Sequence, residues 1–161
     1  MVAQDHVQMP QKPESKQAIA MIGPTKGNTV RRTVTFADVE GVLVTVNLAG
    51  LPPGNHGLHV HEFGNISSDD GSSAGEHFNP MGMPHSAPLN SMRHMGDMGN
   101  ITADTNGTTH LEYIDHVKKL DGPFSIIGRS IIVRAKEDDL KTQPTGNAGA
   151  RVGCGVVGIA K

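Results

Sequence analysis

The chain has 161 residues, which is enough for one compact domain with its own core and too few to suggest two. Its 14 basic and 16 acidic residues leave a formal net charge of −2 without a basic block, so composition argues against a nucleic-acid partner or an anionic membrane partner. The 20 glycines and 10 prolines, with four phenylalanines, one tyrosine and no tryptophan, favour a turn-rich β protein over a long-helix fold.

The N-terminal segment is polar and carries no apolar periodicity. We therefore expect residues 1–16 to be a flexible extension ahead of one folded domain at residues 17–161. This segment lacks the apolar stretch of a secretory signal, and no later run of about 20 apolar residues could span a bilayer. Cys154 is the only cysteine, so no internal disulfide can form, which is typical of a reducing compartment. These features predict a cytoplasmic protein with no membrane partner.

Short β-branched stretches separated by turn residues occupy the rest of the chain. In chain order, the predicted strands are residues 18–22, 31–37, 42–48, 57–61, 100–103, 108–115, 130–135 and 151–159. Eight strands of this kind predict an all-β fold, an eight-stranded Greek-key β-barrel. Two long segments, residues 62–98 and 136–150, have no strand character, and loops of this length in a small domain are normally either functional or disordered. The histidines and aspartates of the first segment predict that a metal orders it.

Histidines and one aspartate mark the end of the fourth predicted strand and the loop after it. His59 and His61 are two positions apart, and the two-residue period of a strand places both imidazoles on one face. Three further histidines and a carboxylate follow in the loop, and such a set suits a closed tetrahedral zinc site. The loop residues are His77, His85, His94 and Asp97.

Five motifs in this order resemble those of the Cu/Zn superoxide dismutase family over about residues 17–161. They are GLHVHEFG at 57–64, AGEHFNP at 74–80, RHMGDMGN at 93–100, GR at 128–129 and GNAGARVGCGVVG at 146–158. The resemblance implies a Greek-key barrel, usually a homodimer, with a zinc-binding loop and an electrostatic loop. It also implies conversion of superoxide to O2 and hydrogen peroxide by a bound copper ion.

The resemblance assigns a role to each candidate site residue. Copper would be held by His59, His61 and His77, and His77 would bridge to zinc and take part in catalysis. Zinc would be held by His77, His85, His94 and Asp97. Arg151 matches the catalytic arginine that attracts the anionic substrate, and Asp138 matches the carboxylate that ties copper and zinc ligands together.

Three features depart from the family pattern. The position of the last copper histidine is Arg134, whose guanidinium offers only donors and cannot bind copper. The family cysteine that pairs with the one near the C-terminus is replaced by Gly71, so Cys154 has no partner. The second long loop also resembles a shortened electrostatic loop without its acidic middle.

These departures lead us to expect an intact zinc site, weak or absent copper binding and reduced or lost dismutase activity. The alternative is a zinc-stabilised, non-catalytic dismutase-like protein that associates with a true dismutase or its copper chaperone. A third interpretation, metal buffering, draws on the histidines together with five methionines near the zinc loop, which otherwise pack a core poor in aromatic residues. The methionines are Met81, Met83, Met92, Met95 and Met98.

Overall fold

In a computed structural model that describes Val7 and residues 15–161, eight antiparallel strands form a nearly closed barrel. The strands are β1 (Gln17–Pro24), β2 (Arg31–Val39), β3 (Gly41–Ala49), β4 (Gly54–His61), β5 (Asp97–Ala103), β6 (Thr109–Asp115), β7 (Ser130–Arg134) and β8 (Arg151–Ile159), with one short 3-10 helix at Ser72–Ala74. The predicted all-β barrel is confirmed. Most of the predicted N-terminal extension lies outside the described residues, and among those described no helix is long and apolar enough to cross a membrane.

The strands are ordered β5-β4-β7-β8-β1-β2-β3-β6 around the barrel. Because β3 pairs with β6 and β4 pairs with β7, the chain crosses the ends of the barrel in the Greek-key manner. Alternate side chains of β3, from Val42 to Leu48, point into the core, as the two-residue period of a strand requires. Strand β4, which carries His59 and His61, pairs with β5 on one side and with β7 on the other.

Strand β5 begins earlier than the sequence predicts, and this changes the position of one candidate ligand. The pairing of β4 with β5 shifts register between Gly57 and His59, so that His59 lies opposite Asp97. An irregularity of this kind bends a strand and redirects its side chains. Asp97 and Met98 therefore belong to β5 rather than to the long loop predicted at residues 62–98.

Backbone hydrogen bonds fold the first long loop, residues 62–96, against the end of β4. The amide of Val60 donates to the carbonyl of Gly96 at 2.9 Å, and the amide of Phe78 donates to the carbonyl of Val60 at 2.8 Å. A Cβ atom on Gly96 would lie 2.2 Å from the Val60 oxygen, so only glycine fits this close approach. The pairing sets His77 beside His61.

A buried ion cluster fastens the end of this loop to β6. Asp115 accepts hydrogen bonds from Arg93 at 2.8 Å and from Lys118 at 3.0 Å, and all three side chains are buried. The same two cations donate to loop carbonyls: Arg93 to His94 at 3.1 Å and Lys118 to Met95 at 3.1 Å. Burial alone would raise the pKa of Asp115, but the charges of Lys118 and Arg93 outweigh it and lower the pKa.

We expect Asp115→Asn to destabilise the protein by about 3–5 kcal/mol, because it leaves two buried cations without their counter-ion. The free energy of unfolding of the metal-free protein in urea measures the effect. Asp69→Asn is the matched control, since Asp69 and its partner Lys26 are both exposed and 3.8 Å apart. Equal stability of the two variants would contradict a structural role for the cluster.

Candidate metal centre

Four side chains predicted to bind zinc converge on one point. The Nδ1 atom of His85 lies 2.7 Å from Oδ1 of Asp97, and the Nδ1 atoms of His77 and His94 lie 3.5 and 3.6 Å from the same oxygen. The two nitrogens of His77 and His94 are 3.2 Å apart. A tetrahedral site with metal–nitrogen bonds of about 2 Å places neighbouring ligand atoms about 3.3 Å apart, so these residues fit zinc.

Burial keeps two of the three histidines in the neutral form that binds a metal. It is the main cause of the lowered pKa of His77 and of His94, which leaves both imidazoles neutral near pH 7. Burial also opposes ionisation of Asp97, but hydrogen bonds from His77 and His85 outweigh it and hold the pKa of that carboxyl below its usual range. For His85, hydrogen bonds to Asp138 and Asp97 outweigh burial and raise the pKa to about 9.

A second group of imidazoles, defined here as His59, His61 and His77, overlaps the first. Ligand atoms of His59, His77, His85 and Asp97 all lie within 4.8 Å of one another, and the rings of His59 and His77 stack with centroids 3.9 Å apart. Asp138 holds His59 next to the zinc ligands, because its carboxylate contacts Nε2 of His59 and Nε2 of His85. His77 is thus the residue shared by the two groups.

Three buried imidazole nitrogens have no hydrogen-bond partner among the described residues. They are Nδ1 of His59, Nε2 of His61 and Nε2 of His77. The opposite nitrogen of His61 donates to the Gly75 carbonyl at 2.8 Å, which directs Nε2 away from that backbone. Burial is the main cause of the lowered pKa of His59, to about 3, and of the lowered pKa of His61. Three neutral nitrogens without partners suit a second, softer metal ion such as copper.

Asp138, which the family resemblance expects to tie copper and zinc ligands together, contacts one histidine of each group. Its Oδ2 accepts from Nε2 of His59 at 2.7 Å, and its Oδ1 accepts from Nε2 of His85 at 2.8 Å. The side-chain oxygen of Asn100 accepts from the Asp138 amide at 2.7 Å and fixes the backbone of that residue. These bonds orient the other nitrogen of each imidazole, Nδ1, toward a metal.

Arg134 ends β7 beside the imidazoles. Its side chain is buried, and its charge contributes to the lowered pKa of His77 after burial and His85. Its carbonyl accepts a hydrogen bond from Nδ1 of His56 at 2.9 Å, while Nε2 of His56 lies 2.7 Å from the Pro52 carbonyl. His56 lies in β4, which begins at Gly54, and its side chain is buried, although no sequence pattern marks it as an interior residue.

A model of the copper/zinc superoxide dismutase family matches residues 30–157 of the chain. The chain belongs to this family. It is 45% identical over 153 residues to a Cu-Zn superoxide dismutase of Paramecium bursaria Chlorella virus 1, covering 89% of this chain and 79% of that protein. It is 44% identical over 157 residues to that of Onchocerca volvulus (90% and 97% covered) and 42% identical over 153 residues to the extracellular Cu-Zn superoxide dismutase of Brugia pahangi (89% and 76% covered).

Hydrogen bonds hold the segment that a family disulfide would otherwise restrain. Gly71 has a φ of 77°, and its carbonyl accepts from Nη1 of Arg151 at 2.9 Å. The hydroxyls of Ser68 and Ser73 are 2.9 Å apart, and Ser73 donates to the Asn65 carbonyl at 2.8 Å. Arg151, predicted to attract the anionic substrate, therefore also contacts the residue at the missing cysteine position.

The methionines do not form one cluster. Met95 and Met98 lie in the hydrophobic core, which agrees with the packing interpretation. Met81 and Met92 are exposed, at 57% and 60% of their surface. The sequence pattern could not separate these two groups, because the methionines are close in sequence and the loop turns between them.

We expect Asp138→Asn to weaken zinc binding about 10–100-fold, because the amide no longer fixes His85 with a charged acceptor. Competition with a fluorescent zinc chelator measures the affinity. Asp139→Asn is the matched control, because the neighbouring Asp139 is exposed and only caps the turn at Thr142. The role of Asp138 is refuted if both variants bind zinc like the unchanged protein.

Proposed function

We propose that this family member retains a structural zinc site but has an incomplete copper site, so that its superoxide dismutase activity is weak or absent. The observation that supports this is the contrast between the two sets of ligands. His77, His85, His94 and Asp97 supply four ligand atoms at distances that suit a tetrahedral site. The second group has three nitrogens without a partner among the described residues, and a buried arginine lies beside them.

The family implies superoxide as the substrate, and bound copper supplies the one-electron chemistry that zinc lacks. The side chains of this protein would position the copper ion and set the electrostatic charge around it. His59, His61 and His77 would hold the metal through their unpartnered nitrogens, and Arg151 would attract the anion. His77 would link the redox site to the zinc site through its two ring nitrogens.

Arg134 opposes copper binding in two ways. A guanidinium has no lone pair to offer a metal, and it stays protonated in proteins. It also repels the ion: two unit charges about 4 Å apart interact by about 4 kcal/mol at an effective dielectric of 20, and a divalent ion doubles that. Three imidazoles still suit cuprous copper, but the cupric ion prefers a fourth ligand, so cycling between the two states is disfavoured.

A non-catalytic binding protein is the second candidate, and the same contrast favours it. The parts that maintain the shape of the family fold, the barrel and the zinc ligands, are complete, while the part specific to catalysis is altered. Such a protein would associate with a true dismutase or its copper chaperone. We also propose a cytoplasmic location, on the grounds of the single unpaired cysteine, although the Brugia pahangi relative is named extracellular.

We further propose a homodimer through an exposed apolar patch, defined here as Phe63, Gly64, Ile127, Gly128 and Val156. Phe63 is 56% exposed and Val156 is 37% exposed. A Cβ atom on Gly64 would lie 2.2 Å from the Gly128 oxygen and 3.2 Å from Val156, which shows that the patch is continuous. A second copy of the chain would cover this surface, because an isologous interface uses the same patch on both subunits.

We expect Arg134→His to increase copper occupancy and dismutase rate by at least about tenfold, because it supplies the fourth nitrogen and removes a positive charge. Elemental analysis after loading with copper and zinc, paired with a superoxide assay, measures both. Arg134→Leu is the control that removes the charge without adding a ligand, and we expect only a partial gain. Full copper occupancy and rapid turnover in the unchanged protein would overturn the proposal.

For the homodimer, we expect Phe63→Glu to yield monomers, because it places a charge in the centre of the patch. Sedimentation equilibrium of the zinc-loaded protein measures the mass. Leu89→Glu is the control, since Leu89 is fully exposed in the loop and lies outside the patch. A monomeric unchanged protein, or a dimer that survives Phe63→Glu, would count against this surface.

A further inference from the structure

A small depression lies beside the imidazoles, between the ends of β7 and β8. It has a volume of about 290 Å3, and two of the side chains that line it are arginines. The lining residues are Asp70, Ser72, Arg134, Gly149, Ala150 and Arg151. Ser72 adds a hydroxyl to this lining, so the depression combines two cations with a neutral polar group.

The side chain of Arg134 is buried here, without an ion-pair or hydrogen-bond partner in the part of the chain that the structure describes. It is only 6% exposed, and its Nε atom is fully buried and forms no hydrogen bond within residues 15–161. No carboxylate of the described residues forms an ion pair with it, since Asp138 is bonded to His59 and His85 instead. An unpartnered buried guanidinium is costly, so an anion that enters the depression would relieve this cost.

Arg151 adds a second positive charge at the same place. It lies opposite Arg134 in the pairing of β7 with β8, and like charges in such positions repel. After burial, the charge of Arg151 is the main cause of the lowered pKa of Arg134. One nitrogen of Arg151 donates to the Gly71 carbonyl, and its other nitrogens have no hydrogen bond among residues 15–161.

The nearby acidic groups do not neutralise this pair. Asp70 is exposed, and its Oδ1 accepts from the Ser72 amide at 2.9 Å. Glu76 attracts Arg134 but is exposed and makes no ion pair with it within the described residues. The depression therefore keeps an excess of positive charge.

We propose that Arg134 and Arg151 together form a binding site for a small tetrahedral oxyanion of the phosphate class. Each guanidinium presents its N–H groups in a planar fork that matches two oxygens of such an anion. A tetrahedral anion has enough oxygens to meet both forks at once, whereas a diatomic anion does not. The Ser72 hydroxyl provides a further donor at the edge.

This inference goes beyond the proposed function, because it assigns Arg134 a ligand of its own. It does not depend on copper, and it is tested on zinc-loaded, copper-free protein. Calorimetric titration with inorganic phosphate, in chloride buffer at constant ionic strength, measures affinity and stoichiometry. A parallel titration with phenyl phosphate shows whether the site accepts a phosphate monoester as well as the free ion.

We expect one phosphate per chain, and about tenfold or greater weakening in both Arg134→Met and Arg151→Met, because each removes charged hydrogen bonds. Arg134→Lys, which keeps the charge but loses the fork, should weaken binding several-fold and serves if Arg134→Met does not fold. Arg31→Met, which alters an exposed arginine on β2, should bind normally. Glu76→Gln should bind about two- to fivefold tighter, because it removes a competing charge.

Two results would overturn the inference. The first is the absence of saturable binding to the unchanged protein. The second is an affinity that is lost in Arg151→Met but unaltered in Arg134→Met and Arg134→Lys, since Arg151 alone would then hold the anion. Neither result depends on whether the copper site is active.

Discussion

The backbone pairing of β4 with residues from both ends of the first long loop is the contact on which the metal centre depends. Val60 bonds to Gly96 and to Phe78 through its amide and carbonyl, between the two histidines of the strand. This pairing brings residues distant in sequence to the same edge of the barrel, and the close approach at Gly96 permits no side chain there. The buried charges of Arg93, Lys118 and Asp115 then hold the far side of the loop.

The charge distribution differs between the zinc ligands and the imidazoles beside Arg134. At the zinc ligands, one carboxylate from Asp97 and another from Asp138 balance the imidazoles and any ion they hold. Among the described residues no acid forms an ion pair with Arg134, so a buried positive charge lies beside the neighbouring imidazoles. Arg134 therefore places a positive charge beside His77, at the end of a strand that stays paired with β4 and β8.

Much of the fold was predictable from local patterns. The strand periodicity and turn residues identify all eight strands, and errors concern their ends, as at β4 and β5. The candidate ligands were also predictable, because histidine and aspartate are rare enough in a short segment to stand out. The burial of His56 and the separation of the methionines into core and exposed groups were not predictable, since both depend on how distant segments pack.

The sequence by itself determined the all-β class, the family and the identity of the candidate ligands, because those depend on residue types and spacing that can be read along the chain. Only the tertiary structure decided which carboxylate bridges His59 and His85. It also decided which histidine nitrogens have no partner among the described residues, and that Arg134 is buried beside Arg151 with no counter-ion among those residues. The physical reason is that hydrogen-bond partners and desolvation depend on neighbours that are distant in sequence, as in the bond between Arg151 and Gly71, which are 80 residues apart.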